Sequence, residues 1–236
     1  MAEVRKMRRG FVGIVAITLV AAATLVPASS ASADRDYGSL TATWWQWVYS
    51  RPARDVGKTN TNPVLDSNGK YATQGQAHGI GPGNKYFFLT GTFGGDVKRT
   101  VTVPDGKALF FPLINVETDN AVDPLPDPLF EVPELRAQAK ASIDSATVLD
   151  AKLDGQPVPF FRVKSPVFSY TLPKNNSIYS YFGLTGPQFE GRVKPAVSDG
   201  YWAYIPPLSD GHHTVEITSE NSSGFKLHVV YDLTVR

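Results

Sequence analysis

The stretch Arg99–Asn120, RTVTVPDGKALFFPLINVETDN, includes the most apolar run after the N-terminal segment, and it determines the predicted fold. After a turn signal at 104–106, residues 108–114 are apolar at both odd and even positions, so both faces of a strand there would be apolar. A strand that is buried on both faces lies in the middle of a sheet. Pro112 has no N–H to donate, which predicts a bulge or an unpaired edge at that point.

Polar residues follow this strand at once. If the strand stays regular, Asn115 and Glu117 continue the face that carries Leu109 and Phe111, because alternate residues of a strand share a face. The pattern therefore places polar groups at the end of a core strand, where a functional site could lie.

The neighbouring segments also favour strands. Tyr86–Thr92 and Val97–Val103 are separated by a Gly-rich turn, which predicts three consecutive antiparallel strands ending with the apolar one. Asp154-Gly155 is a two-residue hairpin signal between Thr147–Leu153 and Gln156–Val163. The C-terminal residues 225–236 alternate between apolar and polar, as in a strand with one buried face.

Two helices complete the prediction. The first covers 37–50, with Ser39 as its N-cap, Trp44 and Trp47 on its buried face, and Trp45 as a platform for a ligand. The second covers 133–146. We therefore expect a mainly β fold: a β-sandwich of about eight to ten strands with an N-terminal Trp-rich helix and one inserted helix.

The N-terminus reads as an export signal. Basic residues, an apolar run and Ala31-Ser32-Ala33 predict a signal peptide at 1–33 and a single β-sandwich domain at 34–236. A retained membrane anchor is the alternative. Arg8-Arg9 before Gly10-Phe11 also fits the twin-arginine motif, so the export route, twin-arginine or general secretory, stays open. We expect a secreted, extracellular protein without a stable membrane anchor after cleavage.

Composition limits the classes of function. The formal net charge is +1 and the charged residues form no long run of one sign, so a nucleic-acid partner is not expected. The chain has no cysteine and therefore no disulfide, although an exported protein could form one. Its stability must come from burial.

Several short motifs, spread along the chain, together resemble those of a known protein family. The chain resembles a widespread, largely uncharacterised family of secreted bacterial proteins that share WWQW and RT(C)TVPxGKxxFFP motifs. The matching residues are Tyr37-Gly38, Trp44–Trp47, Asn62-Pro63, Asp66, Phe87–Leu89, Gly91, Arg99-Thr100, Val103-Pro104, Gly106-Lys107, Phe110–Pro112, Asn115, Asp199–Tyr201, Pro207-Leu208, Gly211 and His213-Thr214.

The resemblance carries no known activity, but one departure from it is informative. Members of the family have cysteines in the loop after Asn-Pro and in the strand that here holds Val101. The loss of both implies that packing replaces a disulfide in this chain, and such a disulfide contributes about 2–4 kcal/mol. It also argues against a catalytic role for those cysteines.

Sequence motifs of known catalytic machinery are absent, including G-x-S-x-G, H-E-x-x-H and the P-loop. His78 is an isolated histidine in a polar loop, for which we expect no more than solvation. His212 and His213 point to opposite faces of one strand, so they cannot chelate a metal together, and we expect a structural role for them.

The acidic loop after the apolar strand is the strongest polar cluster. Its oxygen ligands could hold Ca²⁺, and Glu117 with Asp119 could instead act as the paired carboxylates of a glycoside hydrolase. A solvated acidic loop is the third interpretation. The Ca²⁺ candidates are Glu117, Asp119, Asp123 and Asp127.

Three functions remain open. The leading one is a non-enzymatic secreted protein that binds a carbohydrate or a cell-envelope component, because aromatic residues in a β-sandwich suit sugar stacking. The others are a glycoside hydrolase-like enzyme and a structural or interaction protein of the envelope. The predicted ligand-binding residues are Trp45, Gln46, Asn115, Glu117, Asp119, Asn120 and Trp202.

Overall fold

The computed structural model describes residues 36–54 and 60–236, so the predicted signal peptide at 1–33 lies outside the described residues and stays a prediction. Asp36–Arg236 belong to one compact unit. The helices are α1 (Tyr37–Tyr49), α2 (Val132–Asp144) and α3 (Ile178–Tyr181); the strands are β1 (Tyr86–Phe88), β2 (Gly95–Val103), β3 (Ala108–Thr118), β4 (Ala146–Leu153), β5 (Gln156–Pro157), β6 (Phe160–Lys164), β7 (Phe168–Leu172), β8 (Gly191–Ile205), β9 (Gly211–Asn221) and β10 (Lys226–Val235).

The ten strands form two five-stranded sheets, which confirms the predicted mainly β, sandwich-like fold. The first sheet has the order β1-β3-β8-β6, with β7 also paired to β8. The second has the order β2-β10-β9-β4-β5. In the first sheet β3 lies between β1 and β8, so the prediction of a central strand is confirmed.

One core fills the space between the two sheets. Leu109 and Phe111 of β3 are fully buried there and pack in one cluster with residues from the second sheet, including Val229 and Leu233 of β10. The odd positions of β10 are buried and the even ones are less so, as the alternating pattern predicts.

The other face of the first sheet packs against α1. Trp44 and Trp47 are 2% and 3% exposed, so their predicted core role is confirmed. Trp44 Nε1 donates to Leu89 O at 2.9 Å, and Trp47 Nε1 donates to Gln74 O at 2.8 Å, so both buried indoles are hydrogen-bonded. Asp36, and not Ser39, is the N-cap of α1: its carboxylate accepts from Ser39 N at 2.9 Å.

The prediction of three consecutive antiparallel strands is wrong. β1 pairs with β3 in parallel, whereas β2 belongs to the other sheet and pairs in parallel with β10. Gly94 and Gly95 have φ of 111° and 88°, and they redirect the chain from one sheet to the other instead of closing a hairpin.

The hairpin at Asp154-Gly155 is confirmed, since β4 and β5 pair antiparallel across it. The predicted strand over Gln156–Val163 is divided, however. Pro157 ends β5, and after Pro159 the chain joins the first sheet as β6, because proline cannot continue a ladder. Among the helices that the structure describes, none has the length and apolar character needed to cross a membrane.

Candidate functional site

A bulge in β3 determines where the polar end of this strand points. Pro112 pairs with Trp202 of β8, but the next pair is Ile114 with Tyr201, so Leu113 is an extra residue. One extra residue reverses the alternation of faces. Asn115 and Glu117 therefore lie on the face that packs against α1, and the prediction that they continue the face of Leu109 and Phe111 is wrong.

Beside this bulge the protein has a pocket of about 190 Å³. We call it the Trp45–Asn115 pocket. Its lining is mostly apolar and comes from α1, the bulged part of β3, the loops near residues 64 and 92, α3 and the start of β10. The lining residues are Trp44, Trp45, Val48, Tyr49, Val64, Gly91, Thr92, Phe93, Pro112, Leu113, Ile114, Asn115, Ile178, Phe225 and Leu227.

Two side-chain donors of this lining are buried and have no hydrogen-bond partner within the described parts of the chain. They are Trp45 Nε1 and Asn115 Nδ2. The Trp45 ring lies with its centroid 5.0 Å from that of Trp44 and 5.1 Å from that of Tyr49. Buried donors are normally hydrogen-bonded, because an unpaired one costs about 1–3 kcal/mol.

Exposed aromatic rings lie next to the pocket. Phe93 is 57% exposed and Phe182 is 52% exposed, and their rings meet edge to face at 4.9 Å. Phe93 itself lines the pocket. Two large exposed apolar side chains in contact therefore extend the apolar surface of the pocket towards solvent.

Behind one wall of the pocket lies a buried carboxyl pair. Tyr49, whose ring lines the pocket, donates from its hydroxyl to Glu117 Oε2 at 3.1 Å. The Tyr170 hydroxyl donates to Asp119 Oδ2, and Ala121 N donates to Asp119 Oδ1 at 2.6 Å. Glu117 Oε1 is buried and unpartnered among the described residues.

The electrostatics of this pair favour protonation. Burial raises the pKa of Glu117 well above its usual range, and the adjacent Asp119 carboxyl raises that pKa further. Burial also raises the pKa of Asp119, while the hydrogen bond from Tyr170 opposes that rise. Burial raises the pKa of Tyr49 as well, so its hydroxyl remains a donor.

Tyrosine rings enclose the carboxyl pair. The centroids of Tyr49 and Tyr170 are 4.4 Å apart, and the Tyr170 and Tyr179 hydroxyls are 3.3 Å apart. These residues come from α1, β7 and α3, so three separate elements surround the carboxyls.

Arg99 supports another wall of the pocket. Its side chain is fully buried, and its guanidinium donates to Gly91 O at 3.3 Å and to Val64 O at 3.4 Å. It also donates to Thr90 O at 2.7 Å and to the Tyr231 hydroxyl at 2.6 Å. Arg99 thus fixes two loops whose residues line the pocket.

The structure brings some predicted site residues together and separates others. Trp45 and Asn115 share the pocket, and Glu117 contacts it through Tyr49. Gln46 is exposed, does not line the pocket and donates to Ser169 O at 2.9 Å.

Trp202 does not fit its predicted role as a stacking platform. Its ring is fully buried, stacked on Phe110 at 4.9 Å and in edge contact with Trp44 at 5.5 Å. The alternating pattern of β8 left open which of its two faces lies outward, and α1 covers the face that carries Trp202.

The acidic loop divides into a buried part and an exposed part. Asn120 holds the two ends of the loop together. Its Nδ2 donates to Phe130 O at 3.0 Å, and its Oδ1 accepts from Phe130 N at 2.9 Å. Asp123 and Asp127 are exposed, whereas Glu117 and Asp119 are held by tyrosines. In residues 36–54 and 60–236, no group of three or more His, Cys, Asp or Glu side chains is arranged to hold a metal ion, so the weak Ca²⁺ prediction has no geometric support there.

The histidines lie away from the pocket. His213 Nδ1 pairs with Asp154 Oδ2 at 2.8 Å, and His212 Nδ1 lies 3.3 Å from the Thr234 hydroxyl, which fits the predicted structural role. His78 is exposed.

Few features of the sequence indicated the apolar part of the pocket. Val64, Ile178 and the pair Phe225 and Leu227 come from three distant segments, and only Phe225 and Leu227 share a spacing, that of alternate residues in a strand. Only Phe93, a large aromatic beside Gly94-Gly95, carried a signal, since such a residue in a turn is not needed for a strand face.

The comparisons with known proteins leave the interpretation to the structure. No protein-family model, no curated protein and no solved structure matches this chain.

Proposed function

We propose that this chain is a secreted, non-enzymatic binding protein whose ligand occupies the Trp45–Asn115 pocket. The observation that carries the proposal is the pair of buried donors, Trp45 Nε1 and Asn115 Nδ2, in the lining of one apolar pocket. A few polar groups in an otherwise apolar cavity are typical of small-molecule sites, where the polar groups orient the ligand. A ligand oxygen would give either donor a partner that the described protein residues do not provide.

The position of the pocket supports the same proposal. It lies at the junction of a helix, a bulged strand and several loops, and bulges are common beside functional sites. The exposed Phe93 and Phe182 provide apolar surface near it. A ligand from the cell envelope would meet such a site on an exported protein, and the carbohydrate expected from the aromatic content is a second ligand class to test.

The test is ligand binding by saturation-transfer NMR with two probes, benzyl alcohol and methyl β-glucopyranoside. We expect benzyl alcohol to bind and the signal to fall strongly in Gly91→Leu. A side chain at Gly91 would extend towards Leu227, whose Cδ2 lies 3.1 Å from the position of an added Cβ. Gln46→Ala is the matched control, because Gln46 is on the same helix but outside the pocket.

Either of two results would remove the proposal: no binding of either probe, or binding that Gly91→Leu leaves unchanged. Thermal unfolding of each variant verifies that it is folded. Trp45→Phe, which keeps an aromatic ring but removes the indole N–H together with the five-membered ring that carries it, serves as a second variant if Gly91→Leu does not fold.

A hydrolase remains the second candidate because Glu117 and Asp119 are buried together next to the pocket with raised pKa values. Glycosidases of the usual kind separate their two carboxyls by about 5–10 Å, so that the scissile bond fits between them. Here each carboxyl already accepts a hydrogen bond from a tyrosine hydroxyl, Glu117 from Tyr49 and Asp119 from Tyr170. Release of 4-nitrophenol from 4-nitrophenyl glycosides, abolished by Glu117→Gln but not by Asp127→Asn, would favour the hydrolase.

A further inference from the structure

We propose that the ligand of the Trp45–Asn115 pocket is an uncharged compound with one small ring, about the size of a substituted benzene, that bears an oxygen acceptor. This inference rests on the proposed function and specifies the ligand class of the same site. Size, hydrogen bonding and charge each contribute a separate argument.

The volume limits the size of the ligand. An apolar cavity of about 150 Å³ in another protein holds one benzene molecule. The pocket here is about 190 Å³, which leaves room for a ring and a substituent of a few atoms. The lining includes the rings of Trp45, Phe93 and Phe225, which suit a flat apolar ring.

The unpartnered atoms of the lining limit the polar group. Trp45 Nε1 can only donate, and Asn115 Nδ2 is also a donor. A ligand carbonyl oxygen could accept from either of them. A ligand without an acceptor would leave both donors buried and unpaired, at a cost of about 1–3 kcal/mol each.

The charges around the pocket favour a neutral ligand. Among the described residues, none that lines it is Lys, Arg, His, Asp or Glu. Arg99 lies behind Val64 and Gly91, but it is fully buried and its donors are directed to protein acceptors. Behind Tyr49 lie two acidic groups, Glu117 and Asp119. An ion would therefore lose its hydration without gaining a counter-charge in contact.

The same lining disfavours a sugar within the pocket. A pyranose carries hydroxyl groups around its whole ring, and each one that is buried without a partner costs about 1–3 kcal/mol. The side chains from Val48, Val64, Ile178 and Leu227 offer no polar atom to such groups.

The test compares four probes that differ in one property each: benzamide, benzoate, toluene and methyl β-glucopyranoside. Benzamide and benzoate have nearly the same shape and differ in charge at neutral pH, and toluene lacks the acceptor. Dissociation constants come from chemical-shift titrations of the whole mature chain. We expect benzamide to bind about tenfold more tightly than benzoate. It should also bind at least about fivefold more tightly than toluene, since one hydrogen bond contributes about 1 kcal/mol.

Trp45→Phe adds a readout that a purely structural role would not change. It should weaken benzamide more than toluene, because both probes lose contact with the missing part of the indole and only benzamide also loses a hydrogen bond to the indole N–H.

The outcomes separate the inference from the proposed function. If benzoate or the glucoside binds as tightly as benzamide and Gly91→Leu abolishes that binding, the pocket is a binding site but our ligand class is wrong. If toluene equals benzamide, the role of the two donors is wrong. If no probe binds, or if Gly91→Leu has no effect on any of them, the proposed function itself fails.

Discussion

Asn115 of β3 lies directly opposite Gly200 of β8, and the two strands approach so closely there that no side chain fits at Gly200. A Cβ at Gly200 would lie 2.7 Å from Asn115 Cβ and 2.8 Å from Ile114 O. Both atoms belong to or adjoin the backbone, so neither can swing away. This close approach follows the bulge that turns Asn115 towards the pocket.

Gly200→Ala should therefore be destabilising. We expect the free energy of unfolding to fall by about 1–3 kcal/mol, the usual cost of overpacking, measured by urea denaturation. Gly91→Ala is the matched control and should cost less, because its nearest neighbour is the movable end of the Leu227 side chain. Equal stability of Gly200→Ala and the wild type would contradict the account of the bulge.

The carboxyl pair predicts how stability depends on pH. The pKa of Glu117 is raised in the folded protein by burial, so above about pH 4.5 the fold keeps a proton that the unfolded chain releases. This contribution to stability is present at low pH and is lost as pH rises through the folded pKa, with a slope of up to about 1.4 kcal/mol per pH unit. Glu117→Gln keeps the shape without titrating, so its stability should fall less than that of the wild type between about pH 5 and about pH 8.

Chemical denaturation at several pH values measures this difference, with the exposed Asp127→Asn as control. Parallel pH profiles for wild type and Glu117→Gln would show that Glu117 is not held protonated by the fold.

Arg99 should stabilise the fold through the number of its hydrogen bonds, and not through its positive charge alone. Lys at this position cannot reach Asp66 O, Thr90 O and the Tyr231 hydroxyl at once, which Arg99 contacts at 2.8, 2.7 and 2.6 Å. We expect Arg99→Lys to lower the free energy of unfolding by about 3 kcal/mol or more, because buried acceptors lose their donors.

The neighbouring Lys98 provides the control for this prediction. It is exposed and pairs with Asp232 at 3.0 Å, so Lys98→Ala should cost less than about 1 kcal/mol. A loss for Arg99→Lys no larger than that for Lys98→Ala would mean that the guanidinium network does not hold the loops.

The surface pair of His213 and Asp154 predicts a second pH effect. The hydrogen bond to Asp154 raises the pKa of His213, and the hydrogen bond to His213 lowers the pKa of Asp154. The stability that protonated His213 contributes is complete below about pH 6.5 and is lost as pH rises through the pKa of His213 in the folded protein. The stability that ionised Asp154 contributes is lost below about pH 4. His213→Gln should thus be more destabilising at about pH 5.5 than at about pH 8.5, whereas His78→Gln, on an exposed residue, should show no such difference.

The sequence predicted the parts of the fold that depend on local patterns. The alternation in β10, the Asp154-Gly155 hairpin and the two-sided burial of β3 each follow from periodicity or turn chemistry within a few residues. Strand pairing did not follow, because the partner of β2 is β10, from the other end of the chain, and no local pattern encodes that choice.

The site was predictable in part for the same reason. Trp45 was singled out as an aromatic residue away from the buried face of the predicted helix, and Asn115 as a polar residue at the end of the apolar strand. The burial of Trp202 and the reversal of faces at Leu113 depend on what packs against each strand. A proline in the strand indicated the bulge, but not which side of the sheet Asn115 and Glu117 would reach.

The most direct test of the pocket is the ¹⁵N-resolved NMR signal of the Trp45 indole N–H during a titration with benzamide. The chain has four tryptophans, and Trp45→Phe assigns the signal. Trp47, which donates to Gln74 O, and Trp202, which is buried in the core without a described partner, are internal controls. We predict that the Trp45 signal shifts in a saturable manner while those of Trp47 and Trp202 remain in place; no shift at Trp45, or equal shifts at all indoles, would contradict the account.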